Sequence, residues 1–367
     1  MIDTDVVGRL MRRHIRDMAG YAPVRGIAAL SAAAGVPPER LIKLDANENP
    51  YGCSLRVRQA LGAYGFYHVY PDTELAELAG RLATYAGVRP ENVLPSAGSD
   101  ELIDLMVRLF VEPGDRVVLA PPTFGMYRFC VESAGATVVE VPRRADYAID
   151  VDGILDAVAA GAKLVFLDSP NNPTGVATPP TAIKALLAAP AIVVVDEAYY
   201  EFCGQTVASW VMEYPNLAVF RTFSKWAGLA GLRAGYGLFP TAMIEHLQKI
   251  KIPYSVCAAA QIAMTESLAD LDYLRGTVRA IVAERERLFG LLSALDFLRP
   301  LPSAANFILC QLALGQGRRF VTELARRGIF VRYFDTPLLR DFIRISVGRP
   351  EHSDALVAAL KEIGGSR

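Results

Sequence analysis

The chain has 367 residues, 52% of them apolar, enough to bury the core of one large domain with a smaller companion. Lys and Arg total 38 against 39 Asp and Glu, a formal net charge of −1 with the basic residues scattered. That argues against nucleic acid or an anionic membrane as a main partner and leaves small anions as ligands. Five dispersed cysteines and four dispersed histidines suggest neither a disulfide framework nor a metal cluster, and they fit a reducing cytoplasm.

The amino-terminal stretch carries Arg12, Arg13, His14 and Arg16 without an uninterrupted apolar core, so it does not read as a secretory signal, and no stretch is suited to span a bilayer. From about Val93 to Leu238, short apolar runs alternate with helical patterns: Val117 to Leu119, Thr137 to Val139, Leu164 to Leu167, Ile192 to Val195 and Leu217 to Phe220. Such runs predict strands buried on both faces, hence an α/β domain with a mostly parallel sheet covered by helices. After Val93-Leu94-Pro95, Ser99 can cap a helix, with Asp100 and Glu101 in its first turn and Leu102, Leu105, Met106 and Leu109 at helical spacing. The free N–H groups of that turn could cradle a phosphate, or the two acids could simply complement the helix dipole. In Pro121-Pro122-Thr123-Phe124-Gly125-Met126-Tyr127, Phe124 could stack on a flat ring or join the core.

Ser169-Pro170-Asn171-Asn172-Pro173-Thr174-Gly175 follows the next strand, and the run Ile192 to Val195 then ends in Asp196-Glu197-Ala198-Tyr199. On a parallel strand Asp196 emerges at the carboxyl edge, where open α/β sheets bind ligands. It can hold a ring nitrogen protonated there, or it can cap the next helix. An apolar run ending in Asp-Glu also resembles the magnesium strand of a P-loop nucleotidase, but G-x-x-x-x-G-K-[ST] occurs nowhere. Lys225, in Arg221-Thr222-Phe223-Ser224-Lys225, should reach the same edge, with the Thr222 and Ser224 hydroxyls nearby and Arg233 eight residues on, placed for a bidentate grip on phosphate. Gly228, Gly231, Gly235 and Gly237 do not follow the dinucleotide-loop order G-x-G-x-x-G. Tyr273 to Leu295 reads as an exposed linking helix. A smaller α+β unit follows, in which Ile343, Ile345 and Val347 alternate with Arg344 and Ser346.

Asn, Asp, Tyr, Lys and Arg in this order meet the needs of pyridoxal phosphate (PLP): an amine for the aldehyde, an acid for the ring nitrogen, partners for the ring oxygen and a phosphate clamp. Together with Leu44-Asp45-Ala46-Asn47-Glu48-Asn49-Pro50-Tyr51-Gly52, Tyr70-Pro71 and Gly98-Ser99-Asp100-Glu101, the segments resemble fold-type I PLP-dependent aminotransferases, and within them the histidinol-phosphate aminotransferases, from about Tyr21 to Glu351. The resemblance implies the aspartate aminotransferase-like fold. Residues 1–42 would form an arm and part of the small domain, 43–272 the large PLP-binding domain and 273–367 the small domain. It makes Lys225 the Schiff-base lysine, pairs Asp196 with the ring nitrogen and sets Asn172 and Tyr199 at the ring oxygen. Ser99, Asp100, Thr222, Ser224 and Arg233 would surround the phosphate, and Phe124 would stack on the ring.

The same resemblance implies a homodimer with shared sites, in which Tyr70 reaches the neighbouring subunit's phosphate. Tyr21, Asn47, Arg332 and Arg344 would receive substrate. Two arginines on one wall can hold a phosphate monoester or the carboxylates of glutamate, so one pocket could serve both half-reactions between glutamate and imidazole acetol phosphate. Gly20 stands before Tyr21 where proline is usual, and Phe124 where tyrosine is common. An aromatic amino acid aminotransferase, a threonine-phosphate decarboxylase and a PLP-binding regulatory module are the alternatives.

Overall fold

The computed structural model describes residues 6–365. Its strands, in chain order, are β1 (Ile42–Leu44), β2 (Val93–Ser96), β3 (Arg116–Leu119), β4 (Thr137–Glu140), β5 (Ala162–Asp168), β6 (Ile192–Asp196), β7 (Leu217–Thr222), β8 (Gly235–Leu238), β9 (Leu298–Pro300), β10 (Phe307–Leu312), β11 (Ile329–Tyr333) and β12 (Phe342–Ser346). Seven of them form a sheet in the order β2-β8-β7-β6-β5-β3-β4. The contiguous pairs from β7 to β4 are parallel, whereas β8 runs antiparallel to both β7 and β2.

The apolar runs alternate between two cores, as strands covered on both faces must. Val118, Val165, Leu167, Val193, Val195 and Val219 enter one. Val117, Leu119, Leu164, Phe166, Val194, Ala218 and Phe220 enter the other, against the helices Ser99–Phe110 and Gly125–Ser133. The first of these helices is capped one residue earlier than the sequence suggests: Gly98 (φ 82°) is the N-cap and Ser99 is already helical. A Cβ on Gly98 would sit 2.7 Å from Arg233 Nη2, so glycine lets the guanidinium close over this turn.

The second sheet, β1-β11-β12-β10-β9, takes its edge strand from the amino-terminal part of the chain: β1 pairs in parallel with β11, Ile42 opposite Ile329 and Leu44 opposite Val331. The residues that follow β1 are thereby led to the seam between the two sheets. The helix Leu271–Ser293 is less exposed than its charge pattern suggests. It buries Leu274 and Ile281 in the large core and Leu288 and Leu292 in the small one, so a single rigid rod is shared by both. On β12, Ile343 and Ile345 face the small core; Arg344 and Ser346 point the other way and are nevertheless buried. Among the described residues no helix is long and apolar enough to cross a membrane.

Candidate active site

The carboxyl ends of β5, β6 and β7 deliver Asp168, Asp196 and, three residues beyond Thr222, Lys225 to one edge of the large sheet. Asp168 and Asp196 are register partners. Asp196 is buried; its Oδ2 accepts from the Tyr127 hydroxyl at 2.9 Å and its Oδ1 from the Ala198 N–H at 3.0 Å. Burial pushes its pKa up to about 7, against the pull of the Tyr127 hydrogen bond. A cationic ring nitrogen is the partner that would restore its charge.

Asp168 organises the neighbouring loops. Its Oδ2 accepts from the Asn172 N–H at 2.8 Å, and its Oδ1 from Thr123 at 3.0 Å, Asn171 at 2.7 Å and Arg143 at 3.1 Å. The Arg143–Asp168 pair is buried, so these hydrogen bonds compensate its desolvation and hold Asn172 and the Phe124 loop against each other.

Lys225 Nζ donates to the Ala46 carbonyl at 3.1 Å, and burial lowers its pKa to about 8. The amine is therefore closer to its nucleophilic form near neutral pH than a surface lysine. Tyr199 receives a 2.9 Å hydrogen bond from Asn47 Nδ2, and burial raises its pKa to about 12, so it is a neutral phenol. Asn47 adopts φ 57°, a left-handed conformation that asparagine tolerates, and is held from the small domain. The Ser346 hydroxyl donates to its Oδ1 at 2.9 Å and accepts from its N–H at 2.8 Å, while Asn306 Nδ2 donates to its carbonyl at 2.9 Å.

At the other end of this constellation, the first turn of the helix Ser99–Phe110 presents backbone N–H groups that have no intrahelical acceptor. Glu101 turns away, its Oε2 accepting from the Ala97 N–H at 2.6 Å. Arg233 (φ 52°) lies over the turn and donates to Asp100 Oδ2 at 2.8 Å. The Asp100 carboxylate thus shares this guanidinium with any anion bound there. Thr222 Oγ1 is engaged by the backbone, donating to the Ala234 carbonyl at 3.3 Å and accepting from the Ser224 N–H at 3.0 Å, so it shapes the loop that carries Lys225. These donors, with the amine and the buried acid, suit a ligand that carries a dianion, an aldehyde and a basic ring nitrogen.

The small domain closes the remaining side. Arg332 and Arg344 are opposite each other on antiparallel β11 and β12. Arg344 is buried, donates to Asn172 Oδ1 and, at 2.7 Å, to the Asp45 carbonyl, and its Nε has no partner. Burial lowers its pKa to about 10, which leaves it cationic at neutral pH. Arg332 donates to the Ala22 carbonyl at 3.3 Å. Tyr21 lies edge-on to Phe124 at 6.4 Å, next to the Ala22 carbonyl that Arg332 meets, and burial raises its pKa while the charges of Arg332 and Arg344 oppose the rise.

Tyr70 is not part of this cluster. It is 79% exposed and stacks on Tyr254 at 4.5 Å. Sequence reasoning assigned no role to Asp168, Tyr127 or the Ala46 carbonyl. Asp168 carries the same signal that singled out Asp196, an acid ending a buried run. Tyr127 and Ala46 carry none.

The family model for aminotransferase class I and II matches residues 39–360. A histidinol-phosphate aminotransferase of Roseiflexus castenholzii is 49% identical over 363 residues, covering 96% of this chain and 98% of its own. One from Dehalococcoides mccartyi is 48% identical over 356 residues, covering 96% and 99%. Among solved structures, the histidinol-phosphate aminotransferase from Sinorhizobium meliloti in complex with pyridoxal-5'-phosphate superposes with a TM-score of 0.89 at 32% identity, covering 97% of this chain and 98% of the other.

Proposed function

The chain belongs to the class I and II aminotransferase family, and from that premise we propose that it moves the amino group of glutamate, through PLP, to imidazole acetol phosphate, yielding 2-oxoglutarate and L-histidinol phosphate reversibly. The observation that carries the substrate assignment is the pairing of Arg332 with Arg344, opposite each other on adjacent strands and 5.4 and 5.6 Å from the Phe334 ring centre, since two such guanidiniums suit a phosphate monoester as well as a dicarboxylate. When bound, PLP supplies a protonated ring that draws electron density from the substrate α-carbon.

Lys225 would hold the aldehyde, Asp196 the ring nitrogen, Tyr199 and Asn172 the ring oxygen, and Phe124 one ring face. The N–H groups of Ser99 and Asp100, the Ser224 hydroxyl and Arg233 would hold the phosphate, with Thr222 supporting the Ser224 turn. Lys225, once freed by substrate, moves a proton at its Nζ, and its lowered pKa suits that exchange near neutral pH. Arg344 holds the α-carboxylate of glutamate or the phosphate of histidinol phosphate, Arg332 joins it on that phosphate or takes the distal carboxylate of glutamate, and Tyr21 excludes water from that end. Asn47 ties Tyr199 to the small domain, so the phenol's position depends on how that domain packs.

The working unit is a homodimer with shared sites. In support, Phe66, Tyr67, Val69, Tyr70, Ile252 and Tyr254 are all exposed large apolar residues on the segments around Tyr70 and Tyr254. The assignment is tested by mixing the PLP-loaded protein with single amines and following cofactor absorbance. Glutamate and histidinol phosphate should convert the cofactor to its amine form, with phenylalanine slower and threonine phosphate releasing no carbon dioxide. Faster conversion by phenylalanine would make the protein an aromatic aminotransferase, and carbon dioxide release would make it a lyase.

A further inference from the structure

Asp196 is the acid that holds the pyridine nitrogen on the PLP reading, and its burial works against the charge it needs. Two donors oppose that penalty: the backbone N–H of Ala198, which any residue at 198 other than proline would provide, and the hydroxyl of Tyr127, which only this side chain provides. Tyr127 is itself fully buried, and its ring is stacked on Phe166 with centroids 4.9 Å apart and planes 8° apart. It also meets Phe124 edge-on at 5.6 Å and 87°. The phenol is therefore clamped on both sides, with few rotameric alternatives.

We propose, resting on the PLP reading above, that Tyr127 is a positioning residue: through its hydrogen bond it keeps Asp196 ionised and aimed at the ring nitrogen, while its ring buttresses Phe124 on the ring face. The other groups bearing on Asp196 are Asp168 on the neighbouring strand and Asp100 on the helix Ser99–Phe110, both of which disfavour its charge, and Tyr199 just beyond it. The Asp168 charge is already answered by Arg143, and Asp100 by Arg233, so neither cation is free to serve Asp196. That leaves Tyr127 as the side chain that can donate to Asp196 among the described residues. The bond spans 69 positions of sequence and joins the helix Gly125–Ser133 to the end of β6.

The test is a double-mutant cycle on PLP binding, read by equilibrium titration of the apo dimer with PLP across pH 5–9. Tyr127→Phe keeps the ring and its stack and removes only the donor. It should weaken PLP by about 10- to 100-fold, the conversion of a lost hydrogen bond to a charged group, and move the acid limb of binding to higher pH. In an Asp196→Asn background the same substitution should change PLP affinity less than twofold. Equal losses on both backgrounds, or an unmoved acid limb, would overturn the proposal and leave Tyr127 a packing residue.

If Tyr127→Phe fails to fold, site-specific 3-fluorotyrosine at position 127 is the second variant. Its more acidic hydroxyl should move the acid limb to lower pH, and no movement would again overturn the proposal. Failure of the PLP reading itself is distinguishable, because then neither Asp196→Asn nor Lys225→Ala would alter PLP binding.

Discussion

Replacing Arg332 by alanine tests whether the proposed site needs two guanidiniums for a phosphate and one for an α-carboxylate. Arg332 is partly exposed, its guanidinium lies 5.4 Å from the Phe334 ring centre, and among the described residues its side chain makes one hydrogen bond, 3.3 Å to the carbonyl of Ala22 on the exposed arm. Its removal leaves no buried group unpaired, so melting should change little, within about 0.5 kcal/mol. Arg344 keeps its own contacts to Asn172 and Asp45, and on the proposed reading it holds an α-carboxylate by itself but the phosphate of histidinol phosphate only together with Arg332.

The loss should therefore fall on substrates that need both guanidiniums. A charged hydrogen bond to phosphate is worth about 1.5–3 kcal/mol, so kcat/KM for histidinol phosphate should drop about 10- to 150-fold. Phenylalanine, whose only anion is an α-carboxylate that Arg344 can hold alone, should lose less than about threefold through the slackened arm. Steady-state kinetics with histidinol phosphate, glutamate and phenylalanine on the wild type, Arg332→Ala and Arg332→Lys give the comparison, and lysine should recover part of the loss as a point charge. Equal and small losses for all three substrates would refute the assignment of Arg332 to the substrate phosphate.

In the apo protein, Asp196→Asn should raise the melting temperature at pH 8 and have little effect near pH 4. The folded-state pKa of about 7 lies above the ordinary carboxylate value, so the penalty for burying the charge is absent in acid, grows as pH rises to 7 and is complete above it, at roughly 4 kcal/mol. A gain that is the same at both pH values contradicts the sign of that shift. Gly235→Ala would place a Cβ 2.9 Å from Gly98 Cα and 3.0 Å from the Arg221 carbonyl, both backbone atoms. It should cost ~1–3 kcal/mol of stability, and PLP affinity should fall about tenfold as the anion turn is pushed aside. Mixed dimers of Tyr70→Ala and Lys225→Ala should recover activity that neither parent shows, because one of the two sites then holds both intact residues. No recovery after verified subunit exchange would exclude shared sites.

That Asp196 and Lys225 reach one sheet edge was readable from the chain because each follows directly from a buried strand. An apolar run ends, the chain emerges at the sheet edge, and for Asp196 at the end of β6 and Lys225 three residues beyond β7 no distant partner is needed to say so. Asp168 obeys the same rule on β5, and its importance became visible only when Asn172, Thr123 and Arg143 were seen to converge on it. The parallel sheet could be inferred from its continuous Val/Ile/Leu runs. The reversal of β8 could not, since Gly235 and Gly237 are there for the backbone and ring that press against them.

What the tertiary structure alone decided lies at the seam between the sheets. Asn47 and Ser346 are 299 positions apart, yet their hydrogen bonds place Tyr199, and the carbonyl that meets Lys225 belongs to Ala46, whose side chain says nothing of it. The alternation along β12 foretold that Arg344 and Ser346 share a face but not that the face is buried against the large domain. Local pattern specifies which side of a strand a residue occupies; what covers that side is set by long-range packing, because the hydrogen bonds that fix it join segments with no shared periodicity.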